Sequence, residues 1–342
     1  MKFKKPFFIA EISANHEGSL SKAYTLIRHA KIYGADAVKL QTFTPEKMTL
    51  QSKKKYFKIN NGIWKNKYLW DLYVKAQTPL EWHSKLFKFA KKVGIKIFST
   101  PFDETAVDFL EKLNCPFYKV SSFEMTDLEL IKHISKTKKP IIISTGTSAL
   151  NEIELAYKTA KKYGAKDISL LYCVSNYPAK NSDFNIKNIE ILKKEFNCEV
   201  GLSDHSKDKS IALLSAYAGA SIFEKHICIK NSKGLDSKFS IYGKQILDYR
   251  TEIDKGFELR GKNYFFRSLS EFKAKKFRKS LWAIKKIKKG QEFNSKNIMR
   301  LRPGDGLSPI YFSQILKKKA PYNIPGHSPL SKDLIKILKL KK

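Results

Sequence analysis

Two short stretches carry reactive residue types at a spacing that could bring them together: Gly201-Leu202-Ser203-Asp204-His205-Ser206 and Phe223-Glu224-Lys225-His226. Each is a β-favouring run that empties into a histidine with a carboxylate beside it. Imidazole is the commonest side-chain metal ligand. Two of them, with water and substrate oxygens, suit a divalent ion acting as a Lewis acid. Either histidine alone reads better as a strand-end residue bonding a backbone carbonyl. The pair, in register and each with an acidic neighbour, reads as a site. Residues 198–202 and 220–223 are expected to be strands, and 208–219, with Ile211, Leu214 and Ala218 on one face, a helix. In such a βαβ unit both strands run the same way, so both histidines reach one rim of the sheet.

The elements that would position them recur along the chain. Strands are expected at 7–12, 36–41, 96–100, 117–121, 140–145 and 168–173, with a helix over 21–33 after the first. With the two above, eight strand–helix units run up to Arg260, as a (β/α)8 barrel requires. A doubly wound sheet is the competing architecture, weakened by the lack of a dinucleotide-binding glycine fingerprint or a Walker loop.

Polar residues stand at strand end after strand end: Lys39 and Gln41, Ser99 and Thr100, Lys119, Ser121 and Ser122, Ser144 and Thr145, Ser175 and Tyr177. Any one of them is an ordinary turn or cap residue. Together they converge on the face where barrel active sites are built. Lysines inside a barrel need an anion, and hydroxyls beside a helix N-terminus make a phosphate cradle. A phosphate or carboxylate beside a metal is the expected ligand.

The 342 residues, 42% of them hydrophobic, suit a large α/β body with a smaller appendage. The net charge of +34 is almost all lysine, spread along the chain, with few arginines. Solvated helix faces are therefore preferred over a nucleic-acid or membrane surface, though the field would attract an anionic substrate. With no apolar run of membrane-spanning length, and no signal peptide in Met1-Lys2-Phe3-Lys4-Lys5-Pro6, a cytoplasmic protein is expected. The scattered Cys115, Cys173, Cys198 and Cys228 read as reduced thiols.

Between Thr42 and Gln77 lies an aromatic-rich interruption, equally a binding loop or a packed-down insertion. Past Arg260 the rhythm breaks. Domains are expected at 1–262 (barrel), 263–279 (a basic linker) and 280–342 (a small β-rich domain with Gly/Pro turns).

Several of these motifs resemble the sialic acid synthases: Asn15-His16-Glu17-Gly18, Val38-Lys39-Leu40-Gln41-Thr42, Ser99-Thr100-Pro101-Phe102-Asp103, Ser144-Thr145-Gly146, Ser203-Asp204-His205, Glu224-Lys225-His226 and Arg302-Pro303-Gly304. The likeness covers nearly the whole chain, and its end resembles the antifreeze-like (SAF) module of that family. Within the family, Trp64-Lys65, Ser122-Phe123-Glu124 and Asp236-Ser237-Lys238-Phe239-Ser240 are similar to the pseudaminic acid branch. Neuraminate enzymes commonly have glycine in place of Phe123. His226-Ile227-Cys228-Ile229 departs from the usual His-Phe-Thr-Leu, and Val174 stands where threonine is common.

The resemblance implies condensation of phosphoenolpyruvate with a diacetamido-trideoxy sugar of altro configuration, giving a nine-carbon keto acid and phosphate. It implies Glu17 as the base that holds water, and Mn²⁺, Co²⁺ or Mg²⁺ on His205 and His226. Lys39, Thr100, Lys119, Ser122, Ser144 and Ser203 would hold phosphoenolpyruvate; Gln41, Phe123, Glu124, Tyr177 and Asp236 would face the sugar. It further implies a homodimer in which Arg302 of one SAF domain covers the other chain's barrel. From the residues alone, Arg302 reads better as paired with a surface carboxylate. Neuraminate or legionaminate synthesis uses the same machinery and stays open, as does, remotely, a basic nucleic-acid-binding protein.

Overall fold

The computed structural model describes residues 5–341; residues 1–4, part of the N-terminal stretch read above, and Lys342 lie outside the described residues. The chain divides into two units, Met1–Gly261 and Lys262–Lys342. In the first, short buried runs form β1 (Phe7–Glu11), β2 (Ala37–Thr42), β3 (Lys96–Pro101), β4 (Tyr118–Val120), β5 (Ile141–Ser144), β6 (Ile168–Cys173), β7 (Glu199–Asp204) and β8 (Ile222–Cys228). Each pairs with the next, and β1 pairs in parallel with β8, from Phe7 opposite Ile222 to Glu11 opposite His226. That ladder closes the sheet and leaves the barrel no free edge. The expected (β/α)8 barrel is therefore the fold, and the open doubly wound sheet is not.

Helices on the outside bury one stripe each. In Leu20–Ile32 the buried residues are Ala23, Leu26, Ile27 and Ala30, and the Ser19 hydroxyl accepts from the Lys22 amide to start the helix. Asp103 and Asp127 start Glu104–Lys112 and Leu128–Lys136 in the same way, each cap contributing about 1 kcal/mol. These stripes and the outward strand residues merge into one apolar layer.

Strand side chains alternate between that layer and the barrel interior. The alternation corrects one expectation. β7 and β8 do not stop at Leu202 and Phe223 but run on to Asp204 and Cys228, because inward polar residues still belong to the ladder. A short β9 (Ile241–Tyr242) then extends the sheet beside Ile227 and Cys228.

In the second unit, β10 (Ser280–Ala283) lies between β11 (Ile298–Leu301) and β12 (Ser328–Pro329), antiparallel to both. Leu281, Phe293, Ile298, Leu307, Tyr311 and Leu330 belong to its own small core. Residues 262–279 are part of this unit. They carry the helical turns Leu269–Lys273 and Ala274–Phe277, and the Gly304 amide donates to the Lys276 carbonyl at 2.9 Å.

Two buried histidines tie the helix Leu80–Val93 and the loop after β1 to the barrel. His83 faces the Pro79 carbonyl at 3.1 Å and the Thr42 hydroxyl at 2.8 Å, while His16 accepts from the Gly18 amide at 3.1 Å. Burial pushes both rings down from 6.5 to about 4. The unfolded chain thus takes up protons that the folded one refuses. Their contribution is complete above pH 6.5 and is lost as pH falls through that value toward 4. The melting temperature should drop between pH 7 and 5, and His83→Gln should flatten that drop; an unchanged slope would remove His83 from the account.

Candidate active site

Four ionisable side chains are packed inside the barrel toward the ends of its strands. The Lys39 ammonium is 2.7 Å from Glu11 Oε2 and 3.5 Å from Glu224 Oε1, and it donates to the Thr100 hydroxyl at 3.0 Å. Burial alone would depress Lys39, but the two carboxylates outweigh it and hold its affinity for the proton above the ordinary lysine value. Lys119 lies 3.7 Å from Glu224 Oε2, beyond hydrogen-bonding reach, and burial pulls its value down. Glu11, fully enclosed, is pushed up to about 7 by burial, against the pull of Lys39. Burial also works on Glu224, where Lys119 and Lys39 prevail and keep it ionised.

Above this floor is a cavity of about 270 Å³. Lys39, Lys119, Ser122, Ser144, Ser203 and Glu224 line it. The Ser144 hydroxyl and Glu224 Oε2 are buried without a hydrogen-bond partner, and Lys119 has no close one. Buried polar groups left like this are costly unless a ligand completes them. Gly146 closes the cradle: its amide donates to the Ser122 hydroxyl at 3.1 Å, and a Cβ there would come within 2.7 Å of that oxygen. Donors and cations facing one space are the groups that an anion would complete.

The two histidine rings lie beside it with centroids 5.4 Å apart. His205 Nδ1 stands 3.0 Å from the Val174 carbonyl, so in the neutral ring the proton sits there and Nε2 carries the lone pair. Burial lowers the proton affinity of His205, but Cys173, whose sulfur lies 3.8 Å from the ring, more than restores it. His226 is held well below its ordinary value, first by burial and then by His205, and its buried Nδ1 has no hydrogen-bond partner. Asp236 Oδ2 is 3.6 Å from that nitrogen and accepts from the Ser13 hydroxyl at 2.5 Å. A neutral, unpartnered imidazole beside a second lone pair fits a divalent ion. No group of three or more His, Cys, Asp or Glu side chains is placed to hold one among the described residues. The remaining ligands would have to be oxygens from water or substrate.

Much of the lining is aromatic. The rings of Phe43, Trp64, Tyr73, Phe102, Phe123 and Phe239 line the cavity, together with the polar groups of Gln41, Glu124, Tyr177 and Asp236. Phe123 is 61% exposed, so it borders the cavity instead of filling the core. Trp64 comes from the insertion between β2 and β3, and its indole donates to the Leu235 carbonyl at 3.2 Å. The ring also sits 5.5 Å from Tyr177. The insertion therefore both lines the cavity and is held down against its own protein.

Other sequence candidates lie elsewhere. Thr100 is behind the cavity wall, holding Lys39. Glu17 does not line the cavity: its carboxylate accepts from Lys22 Nζ at 2.7 Å, from the Ser232 hydroxyl at 2.6 Å and from the Lys233 amide at 3.2 Å. Arg302 belongs to the second unit and is exposed. Glu11 and Ser13 were missed. For Glu11 the signal was the alternation of β1, which sets it in line with Lys39; Ser13 opens the helical turn Ser13–His16 beyond the strand and had no such signal. Asp204, read as a partner of His205, points the other way, because neighbouring residues on a strand face opposite sides.

Residues 26–263 match the NeuB family. The chain belongs to the NeuB family. Its relatives include the pseudaminic acid synthase of Campylobacter jejuni, 40% identical over 94% of each chain. The N,N'-diacetyllegionaminic acid synthase of the same organism is 37% identical over 94% of this chain and 97% of its own. Among solved structures, N-acetylneuraminic acid synthetase from Leptospira borgpetersenii, crystallised with citrate, superposes with a TM-score of 0.71 at 28% identity. It covers 79% of this chain and 90% of that one. Sialic acid synthases are metal-dependent as a family.

Lys119 is the buried cation without a close partner, so it should dominate anion binding. Lys119→Met should weaken the affinity for inorganic phosphate, measured calorimetrically, by roughly tenfold to a hundredfold, as loss of a charged hydrogen bond does. Unchanged affinity would remove Lys119 from the cradle.

Proposed function

We propose that the chain is a pseudaminic acid synthase, joining phosphoenolpyruvate to a diacetamido-trideoxy sugar of altro configuration and releasing phosphate. The observation that carries this reading is the cluster of Lys39, Lys119, Ser122, Ser144 and Ser203 in one cavity with an aromatic wall. It occurs in a chain 40% identical to a pseudaminic acid synthase over 94% of its length. The nearly equal likeness to a legionaminic acid synthase keeps that sugar as the second reading.

In this mechanism the methylene carbon of phosphoenolpyruvate attacks the sugar aldehyde, water adds to the electron-poor enol carbon, and phosphate departs with its C–O bond. Lys119 and Lys39 neutralise the carboxylate and phosphate as the leaving group separates, with Thr100 and Glu11 fixing where Lys39 points. His205 and His226 would hold Mn²⁺, Co²⁺ or Mg²⁺, which supplies Lewis-acid polarisation of a carbonyl oxygen. Gln41, Tyr177, Asp236 and Phe123 face the sugar.

The acid–base role goes to Glu124 in preference to Glu17. Glu124 lines the cavity, accepts from the Ser121 hydroxyl, and is pushed up to about 7 by burial, near the working pH of a proton carrier. Glu17 is occupied by Lys22 and Ser232. Phe123 offers an apolar wall that suits a methyl terminus and gives nothing to a hydroxyl, which would lose water without a partner.

The second unit is read as an antifreeze-like domain at 280–342 behind a linker at 263–279, in a homodimer where Arg302 reaches the partner's sugar. Arg302 is exposed and carries a planar donor fork suited to an acetamido oxygen or a carboxylate. No helix among the described residues is long and apolar enough to cross a membrane. A cytoplasmic location goes with this substrate pair.

Phosphate release against a panel of amino sugars tests the whole reading. The altro diacetamido sugar should be preferred, with activity lost on chelation and restored by a divalent ion. Preference for the legionaminate precursor would move the chain to the second reading, and no release with any sugar would overturn both. Glu124→Gln should lower kcat about 10²- to 10⁴-fold with phosphoenolpyruvate still bound, and Glu17→Gln far less; the reverse order would return the role to Glu17. Phe123→Gly should relax discrimination toward N-acetylmannosamine. Mixing Arg302→Ala chains with inactive Glu124→Gln chains should recover part of the activity, and no recovery after confirmed subunit exchange would exclude a shared site.

A further inference from the structure

Each histidine motif has a middle residue that the reaction leaves unused: Asp204 between Ser203 and His205, and Lys225 between Glu224 and His226. Ser203, His205, Glu224 and His226 line the cavity, so by strand alternation Asp204 and Lys225 point out of the barrel. There they meet. Lys225 Nζ lies 3.2 Å from Asp204 Oδ2, with side-chain exposures of 2% and 0%, and 5.6 Å from the centre of the Tyr249 ring on the helix Lys244–Arg260. The two residues are also opposite one another in the β7–β8 ladder.

Their position matters because β7 ends at Asp204 and its ladder with β8 ends at the same pair, so His205 stands one residue beyond. On the β6 side the backbone is still held, since the Ala179 amide donates to the His205 carbonyl at 3.0 Å. On the β8 side the ion pair takes over from the ladder. Asp204 Oδ1 accepts from the Ser206 amide at 2.7 Å, and Lys225 Nζ donates to the Ser206 carbonyl. Both backbone polar groups of the residue after His205 are therefore bound by the pair.

We propose that the Asp204–Lys225 ion pair is a positioning device that fixes the separation of His205 and His226 from behind. A buried ion pair is weak evidence of stability, because desolvation offsets most of the attraction, and an apolar or neutral replacement of both partners is often tolerated. Its effect here is geometric: it sets the backbone on which one metal-binding ring is mounted by gripping the strand that carries the other. This inference rests on the two-histidine reading of the metal site.

The test measures Mn²⁺ binding by electron paramagnetic resonance, alongside thermal melting and phosphoenolpyruvate affinity in chelator. The double variant Asp204→Asn with Lys225→Met removes both charges together. It should melt within a few degrees of the parent and hold phosphoenolpyruvate within about twofold, yet bind Mn²⁺ about 10- to 100-fold more weakly, as loss of outer support to ligands does. Parental Mn²⁺ affinity in that variant would overturn the proposal, as would equal losses for Mn²⁺ and phosphoenolpyruvate, which indicate general loosening. Should the double variant not fold, Asp204→Asn alone keeps the shape and the Ser206 contact; it must still weaken Mn²⁺ selectively, or the proposal fails. The parent with His205→Ala separates the underlying reading: Mn²⁺ binding that survives this change sinks the two-histidine site, and the positioning role with it.

Discussion

The whole arrangement depends on charges buried where water cannot screen them. Glu11, Lys39, Glu224 and Lys119 run across the barrel interior in a chain of alternating sign, from β1 to β2, β8 and β4. Isolated, any one of them would cost several kcal/mol in such a place. Together they are tolerated, and the least satisfied, Lys119, is left facing the cavity. The barrel makes this possible by closing: β1 pairs with β8, so carboxylates from the first and last strands reach the same lysine. The fold and the anion cradle are two results of one ladder.

Much of this was legible in the residues because it obeys simple periods. β-favouring runs alternating with helical ones gave the barrel, and lysines set in strands gave the cationic part of its cavity lining. What stayed hidden was direction. Asp204 and Glu224 look equivalent beside their histidines, but one is a neighbour and the other is two residues away, so only Glu224 shares the interior with its histidine. Polar residues were read as the ends of strands when they were their continuation, which shortened β8 before His226. Glu17 shows a different limit. It stands inside the motif Asn15-His16-Glu17-Gly18, yet its backbone is left-handed at φ 51° and its carboxylate accepts from Lys22 and Ser232. Contacts across 215 residues of sequence, such as that with Ser232, have no local signature.

The insertion between β2 and β3 was ambiguous for a similar reason. Aromatic side chains serve equally to cover a ligand or to hold a loop to its own protein. Trp64 does both. Its ring faces the cavity beside Tyr177 while its indole N–H holds the Leu235 carbonyl, so one residue joins two loops and lines their shared wall.

That join divides the site by the kind of backbone that carries each part. The cations, carboxylates and histidines sit on or next to strands, locked by a closed ladder. The aromatic wall sits outside the strands, on connecting segments and short helices such as Leu69–Ala76, whose placement is set by a few contacts such as the one from Trp64. Substitutions in the wall change what fits the cavity without disturbing its electrostatics, whereas substitutions in the floor disturb every neighbour in the charge chain. A lineage built on this plan is free to diverge in the sugar it accepts while its handling of the common phosphorylated partner stays fixed.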